Sequence, residues 1–137
     1  MNIEYKINPE ITVEDFIELL KNSTLGQRRP IDDIETIKGM IENANLIVSA
    51  SYDNKLIGIA RAVTDFHYCC YLSDLAVDTK YQKKGIGKQL ISKIQEQLND
   101  KCKIILLSAP DAKEYYPKIG FTQHHSAWTL PRDKKLI

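Results

Sequence analysis

The feature that most constrains the fold of this chain is an apolar segment followed by a turn with two glycines and an amphipathic helix. The apolar segment covers residues 71–77, the turn contains Gly85 and Gly87, and apolar residues recur at helical spacing as far as Leu98. Glycine lets the backbone approach an anion closely, and the first N–H groups of a helix point towards it, aided by the helix dipole. The sequence therefore predicts a phosphate-binding turn between a strand and a helix.

Two familiar nucleotide motifs do not fit this turn. A P-loop would need glycine at position 82 and Ser or Thr at position 89, where the chain has Gln82 and Gln89. A dinucleotide-binding fingerprint that starts at Gly85 would need glycine at position 90, where the chain has Leu90. The phosphate must therefore belong to a ligand that is recognised by a different pattern.

The pattern that remains is Gln82-x-x-Gly85-x-Gly87, directly after the apolar segment. It resembles the acyl-CoA pyrophosphate signature of the GNAT family of N-acetyltransferases. A second segment, residues 112–121, resembles the later signature of the same family, Ala-x-x-Phe-Tyr-x-x-x-Gly-Phe. One departure is Ala109, which stands where many members have an asparagine that contacts the cofactor.

This resemblance implies acetyl-CoA as co-substrate and no metal. The pyrophosphate would lie at the glycine turn, and the pantetheine arm would lie beside the preceding strand. By the same resemblance, the catalytic groups are the backbone N–H of Val77, which polarises the thioester carbonyl, and the hydroxyl of Tyr116, which protonates the departing thiolate. The residues expected to bind the cofactor are Leu75, Ala76, Val77, Gln82, Lys83, Lys84, Gly85, Ile86, Gly87, Lys88 and Tyr116.

The base that deprotonates the acceptor amine stays open at this stage. Some relatives have a glutamate where this chain has Tyr71. Strict alternation along a strand predicts that the side chain of Asp74 lies on the face opposite Tyr71. Asp74, Asp65, His67 and a chain of water molecules are the alternatives.

The order of elements is typical of an α+β fold in one domain, residues 1–137. Ile3, Tyr5 and Ile7 alternate in a first strand, Thr12 precedes a first helix, and a second helix starts near Asp32. The remaining predicted elements are strands 46–52, 56–63 and 68–77, a helix over 85–98, a central strand over 104–107, a helix over 111–118 and a last strand over 122–130. The resemblance implies a mixed, mostly antiparallel central sheet flanked by helices, with strands 68–77 and 104–107 parallel and splayed around the acyl-CoA site.

Composition excludes several classes of partner. The 19 basic residues barely outnumber the 18 acidic ones, so the phosphate backbone of a nucleic acid is not a favoured ligand. No segment is long and apolar enough for a membrane span, and the first residues lack the layout of a signal peptide. The three cysteines include an adjacent pair and form no C-x-x-C, which favours reduced thiols and a cytoplasmic location. Arg61, inside a predicted strand, needs an acidic partner or a ligand.

The leading hypothesis is an N-acetyltransferase that moves the acetyl group of acetyl-CoA directly to a primary amine in a ternary complex. The acceptor is a small-molecule amine or a peptide amine, and the enzyme could form a homodimer. A non-catalytic acyl-CoA-binding sensor or regulatory module is the alternative from another class. A third possibility is that the glycine turn binds a different anion, such as a nucleotide.

Overall fold

The computed structural model describes all 137 residues, which divide into a unit of residues 1–107 and a unit of residues 108–137. The first unit contains a five-stranded sheet in the order β1-β2-β3-β4-β5. Its elements are β1 (Glu4–Ile7), α1 (Val13–Asn22), α2 (Ile34–Asn43), β2 (Leu46–Tyr52), β3 (Lys55–Thr64), β4 (Cys69–Val77), α3 (Ile86–Glu96) and β5 (Lys103–Ile105). The first four strands are antiparallel, and β4 and β5 are parallel. The predicted α+β class with a mixed, mostly antiparallel sheet is confirmed.

Local sequence signals start the helices and close the first hairpin. The hydroxyl of Thr12 accepts the N–H of Asp15 at 3.1 Å, so α1 begins with the cap that its sequence predicts. Between β2 and β3, Asp53 and Asn54 both have positive φ, of 53° and 61°. Two left-handed residues match the twist of a tight hairpin, and Asp and Asn tolerate this conformation better than most residues.

The sheet is covered by helices on both faces. Helices α1 and α2 cover one face with a cluster of buried side chains: Phe16, Leu19, Leu20, Ile37, Ile47, Ile59 and Ala76. Helix α3 covers the other face, where a Cβ added to Gly58 would lie 3.2 Å from Leu90 and 3.3 Å from Ile86. Burying each large aliphatic side chain contributes roughly 1.5–3 kcal/mol, so this packing fixes α3 against the middle of the sheet.

Strand β4 contains a bulge that the sequence pattern does not reveal. Arg61 pairs with Asp74 and Ala62 pairs with Leu72, so Ser73 is an extra residue in β4. Directly paired residues of neighbouring strands share a face, and Val63 pairs with Tyr71. Arg61 and Val63 share a face of β3, and therefore Asp74 lies on the same face as Tyr71. The prediction that Asp74 and Tyr71 lie on opposite faces is wrong, because the bulge shifts the alternation by one residue.

The predicted central strand over 104–107 is also wrong in its position. Strand β5 stops at Ile105 and lies at the end of the sheet, and Ile105 is 45% exposed. An apolar run shows that the side chains are hydrophobic, but it does not show how many strands lie beside them. The run over 104–107 therefore predicts more burial than β5 has. None of the helices is both long and apolar enough to cross a membrane.

The second unit contains a 3-10 helix, Pro110–Ala112, and the short helix α4, Tyr115–Lys118, where the sequence predicts one helix over 111–118. The predicted last strand over 122–130 is wrong, since residues 121–130 contain no strand. The N–H of Ser126 bonds to Nδ1 of His124 at 3.2 Å. This local polar contact closes a turn in the middle of the predicted strand and breaks its alternation.

Candidate functional site

The glycine turn has the geometry of an anion site. Gly85 is the N-cap residue of α3 with φ of 80°, in the left-handed region, and no side chain caps the helix there. The first helical bond runs from Gln89 N–H to the carbonyl of Gly85 at 3.1 Å. The N–H groups of Ile86, Gly87 and Lys88 therefore have no acceptor within the helix. They point out of the helix start with the positive end of its dipole, where a phosphate is stabilised.

The space in front of this turn is open and positively charged. No atom lies within 4 Å of a Cβ built on Gly85. Lys83 also has a positive φ, of 63°, which is uncommon outside glycine and tightens the turn. The side chains that surround the turn are exposed lysines: Lys80, Lys83, Lys84 and Lys88.

Asp78 fixes the connection between β4 and this turn, a role that the sequence analysis missed. It is 2% exposed, and its carboxylate accepts the N–H of Lys80 at 2.9 Å. Its own N–H donates to the carbonyl of Ile57 in β3 at 2.8 Å. An aspartate directly after an apolar strand is a capping signal, and this signal could have identified the residue.

The edge of β4 next to the turn lacks a neighbouring strand. Strand β5 pairs only with Cys69–Tyr71, which leaves the remainder of β4 without a partner on that side. The N–H of Asp78 points to β3, and backbone groups alternate in direction along an antiparallel strand. Val77 and Leu75 therefore direct their N–H and C=O groups to the open side. The carbonyl of Val77 accepts from Nε2 of Gln82 at 3.2 Å, which ties the turn to the open edge.

Asp74 is engaged in two ion pairs, so it is a poor candidate for the base that deprotonates the acceptor amine. Its side chain has no exposed surface, and its Oδ1 accepts from Nε of Arg29 at 2.6 Å. Its Oδ2 accepts from Nε of Arg61. Arg61 thus has the acidic partner that its position in a strand requires, and the prediction of such a partner is confirmed.

Asp65 and His67 lie at the wrong end of β4 for proton transfer at Val77. They are in the turn before Cys69, and the nine residues of β4 separate Cys69 from Val77 by roughly 26 Å. Oδ1 of Asp65 accepts the N–H groups of Tyr68, Cys69 and His67, and these bonds lower its pKa to about 2. Such a carboxylate caps a turn and is a poor base near neutral pH. Of the four alternatives for deprotonating the amine, a chain of water molecules is compatible with these contacts.

Tyr116 belongs to the second unit, in α4. Its ring packs edge-on against Phe121, with centroids 5.4 Å apart, and against Tyr115, with centroids 5.2 Å apart. Burial raises the pKa of its phenol above the ordinary value of 10.0, and Tyr115 adds a smaller effect in the same direction. The hydroxyl therefore stays protonated throughout the neutral range and can serve as a proton donor.

Comparison with known proteins identifies the class that this fold and turn define. Residues 21–129 match the family model described as the acetyltransferase (GNAT) domain. The match covers most of the chain, and the chain belongs to the GNAT family of acetyltransferases. The family and the enzyme class predicted from the sequence are confirmed.

Individual relatives and structures agree with this family. The chain is 31% identical over 127 residues to the N-acetyltransferase ycf52 of Gracilaria tenuistipitata var. liui, covering 88% of this chain and 68% of the relative. It is 29% identical over 111 residues to ycf52 of Pyropia yezoensis, covering 77% of this chain and 62% of that relative. The chain thus spans about two thirds of the length of these relatives.

Solved structures show the same fold. A probable acetyltransferase of meticillin-resistant Staphylococcus aureus has a TM-score of 0.78 at 21% identity, covering 98% of this chain and 100% of that one. The aminoglycoside N-acetyltransferase AAC(6')-Iy, solved in complex with CoA, has a TM-score of 0.74 at 18% identity, covering 97% of this chain and 96% of that one.

Proposed function

We propose that this chain transfers the acetyl group of acetyl-CoA directly to a primary amine in a ternary complex. The observation that carries the proposal is the adjacency of two features in the first unit. The left-handed glycine turn at the start of α3 follows directly after the part of β4 that has lost its neighbour β5. An anion-binding turn beside an open strand edge suits a ligand with a diphosphate and an extended amide-containing arm.

The diphosphate would be held by the helix start and its lysines. The N–H groups of Ile86, Gly87 and Lys88 supply donors that need no reorganisation, and the left-handed φ of Gly85 aims them. The surrounding ammonium groups add long-range attraction. The proposed phosphate-binding residues are Gln82, Lys83, Lys84, Gly85, Ile86, Gly87 and Lys88.

The pantetheine arm would extend along the open edge of β4. Its amides can pair with the backbone of Leu75 and Val77 as an added strand would, since these two residues direct their polar groups to that side, and the arm would pass Ala76 between them. The N–H of Val77 then meets the thioester carbonyl. A fixed main-chain donor at the position where negative charge develops lowers the barrier to a tetrahedral intermediate.

The transfer itself forms one C–N bond and breaks one C–S bond. The amine attacks the thioester carbon, the intermediate collapses, and CoA leaves as a thiolate that takes a proton. We assign this proton to the hydroxyl of Tyr116, which the raised pKa of that phenol keeps available, and the proton that the nitrogen loses as the amide forms passes through water and restores the hydroxyl. We also propose contact between Tyr116 and the bound cofactor.

The acceptor must lose a proton before it attacks. An alkylamine with a pKa near 10.4 costs about 4.6 kcal/mol to deprotonate at pH 7. We propose that water carries this proton to solvent, since Asp74 is paired and Asp65 and His67 are distant. A small-molecule amine is favoured as acceptor because similar folds include a metagenomic aminoglycoside acetyltransferase solved with sisomicin, at a TM-score of 0.68 and 19% identity. A peptide amine is the second candidate.

Two experiments test this function in sequence. Thermal-shift measurements with acetyl-CoA, ATP and NAD should show stabilisation by acetyl-CoA alone, because a ligand of the native state raises the melting temperature. Thiol release from acetyl-CoA in the presence of an amine library then separates an enzyme from a binding module. Stabilisation without thiol release for any amine would favour the sensor, and stabilisation by ATP or NAD alone would refute the proposed cofactor.

A single domain over residues 1–137, a cytoplasmic location and a homodimer stay predictions of the sequence.

A further inference from the structure

Two arginines from different elements converge on the bulge of β4. Nη2 of Arg61, in β3, donates to the hydroxyl of Ser73 at 2.9 Å. Nη2 of Arg29, just after the 3-10 helix Thr24–Arg28, donates to the carbonyl of Ser73 at 2.8 Å. The same two guanidinium groups bind the two oxygens of Asp74. Arg29 and Arg61 together thus bind Ser73, the extra residue of the bulge, and its neighbour Asp74.

This cluster is largely buried, and each nitrogen of its two guanidinium groups donates at least one hydrogen bond. The exposed fraction is 0% for the side chain of Asp74, 8% for that of Arg61 and 21% for that of Arg29. The third nitrogens are bonded as well, since Nη1 of Arg61 donates to the carbonyl of Met40 at 3.1 Å and Nη1 of Arg29 donates to the carbonyl of Arg28 at 2.8 Å. Buried charges persist only where their hydrogen-bonding partners are complete, so the cluster holds its members in one arrangement. It connects β3, β4, α2 and the segment between α1 and α2.

The bulge lies between the two parts of β4 that differ in their pairing. Before it, Cys69–Tyr71 pair with β5, and after it β4 has no neighbour on that side. A bulge bends and twists its strand and re-aims the residues that follow. The direction of the N–H groups of Leu75 and Val77 therefore depends on how Ser73 is held.

We propose that Arg29 and Arg61 are positioning residues for the transfer reaction, acting through Asp74 and the Ser73 bulge. They aim the backbone of Leu75 and Val77 at the ligand on the open edge of β4. Arg29 also couples the segment between α1 and α2 to this strand. The role rests on the proposed function, because the aimed N–H groups matter to catalysis only if a thioester lies on that edge.

Arg29→Lys is the variant that isolates the effect. Lysine keeps a positive charge beside Asp74, but its single nitrogen cannot reproduce the planar fork that places Nε on Asp74 and Nη2 on the carbonyl of Ser73. Arg28→Lys is the matched control, since Arg28 is exposed and only its backbone carbonyl contacts the cluster. Arg29→Met, which removes the charge as well, should give a larger effect of the same kind.

Amide hydrogen exchange measured by NMR tests whether Arg29 holds the Ser73 bulge, and it does so without reference to activity. Exchange at Asp74, whose N–H group points to β3, should rise by about tenfold in Arg29→Lys and stay unchanged in Arg28→Lys, because local opening of the bulge becomes easier. Exchange at Ile59 in β3 should stay unchanged in both variants. Equal exchange at Asp74 in Arg29→Lys and wild type would overturn the proposal that Arg29 holds the bulge.

Kinetics test the positioning role. In Arg29→Lys, kcat should fall by about tenfold because the reacting groups are misaligned, while the Kd of CoA stays within about twofold because the glycine turn holds the diphosphate. Unchanged kcat, or a raised KM confined to acceptors that carry a carboxylate, would overturn the proposal and make Arg29 structural or an acceptor ligand. A wild-type chain that binds no CoA would refute the proposed function instead, and the exchange data would still decide whether the arginines hold the bulge.

Discussion

Asp74 stands directly opposite Arg61 in the β3–β4 ladder, and the two side chains form an ion pair where Asp74 has no exposed surface. Arg29 binds the second oxygen of the same carboxylate, so one buried anion is shared by two cations. Such an arrangement stabilises a fold only while all its members are present, because each lost partner leaves a buried charge without compensation.

The first prediction concerns this carboxylate. Asp74→Asn should lower the free energy of unfolding by about 3 kcal/mol, since it leaves two guanidinium groups facing a neutral amide. Urea unfolding followed by circular dichroism would measure the change. Glu42→Gln is the matched control, because the pair between Lys38 and Glu42 spans 3.9 Å with both side chains 60% exposed. It should change stability by less than about 0.5 kcal/mol. Equal effects of the two substitutions would contradict the structural importance of the buried cluster.

The second prediction concerns the proposed acid. Tyr116→Phe should lower kcat by about a hundredfold, because the departing thiolate loses its proton donor. Binding of acetyl-CoA, measured by calorimetry, should stay close to wild type because the ring and its packing against Phe121 are kept. Tyr115→Phe should leave both quantities near wild type. A parallel loss of binding and turnover in Tyr116→Phe would assign the hydroxyl a packing role.

The third prediction separates charge from backbone conformation at the glycine turn. Gly85→Asp should weaken acetyl-CoA binding by at least about tenfold, because a carboxylate at the helix start repels the diphosphate. Gly85→Asn is the control, since asparagine has nearly the same size and tolerates positive φ comparably, without the charge. A Cβ added at Gly85 meets no other atom within 4 Å, and the left-handed φ of 80° strains both variants in a similar way, so they differ mainly in charge. If the two variants bind acetyl-CoA equally, electrostatic repulsion is not the cause.

The fourth prediction concerns pH and the turn before β4. The pKa of Asp65 is lowered from 3.8 in the unfolded chain to about 2 in the fold, chiefly by the N–H bonds of Tyr68 and Cys69. A depressed folded pKa means that this carboxylate stabilises the fold fully above pH 3.8 and loses that contribution as the pH falls towards 2. Asp65→Ala should therefore melt below wild type at pH 6. The difference should shrink between pH 4 and pH 2, and a constant difference would contradict this linkage.

Much of the first unit is encoded in local sequence. The cap at Thr12, the turn at Asp53-Asn54 and the stripe of α3 each follow from a short pattern, and the structure has all of them. The glycine turn belongs to this group as well, because the left-handed φ at Gly85 needs a residue type that is visible in the sequence.

The missed features depend on residues that are far apart in the chain. The bulge at Ser73 is contacted by Arg29 and Arg61, which reach β4 from other elements, and no pattern within residues 69–77 signals it. The face of Asp74 was mispredicted for this reason. The last predicted strand is absent, and a turn at residues 125–126, closed by a contact between His124 and Ser126, lies within the alternating segment.

The early end of β5 at Ile105 has a practical consequence for handling the protein. Because β5 ends there, the later part of β4 is an edge with unpaired backbone N–H and C=O groups. Another copy of the chain can add a strand to such an edge, and this is one way in which sheets aggregate. In the proposed complex, the coenzyme arm covers that edge. Purification and storage with saturating coenzyme should therefore keep the preparation monodisperse, whereas concentrating the unliganded enzyme invites association between copies.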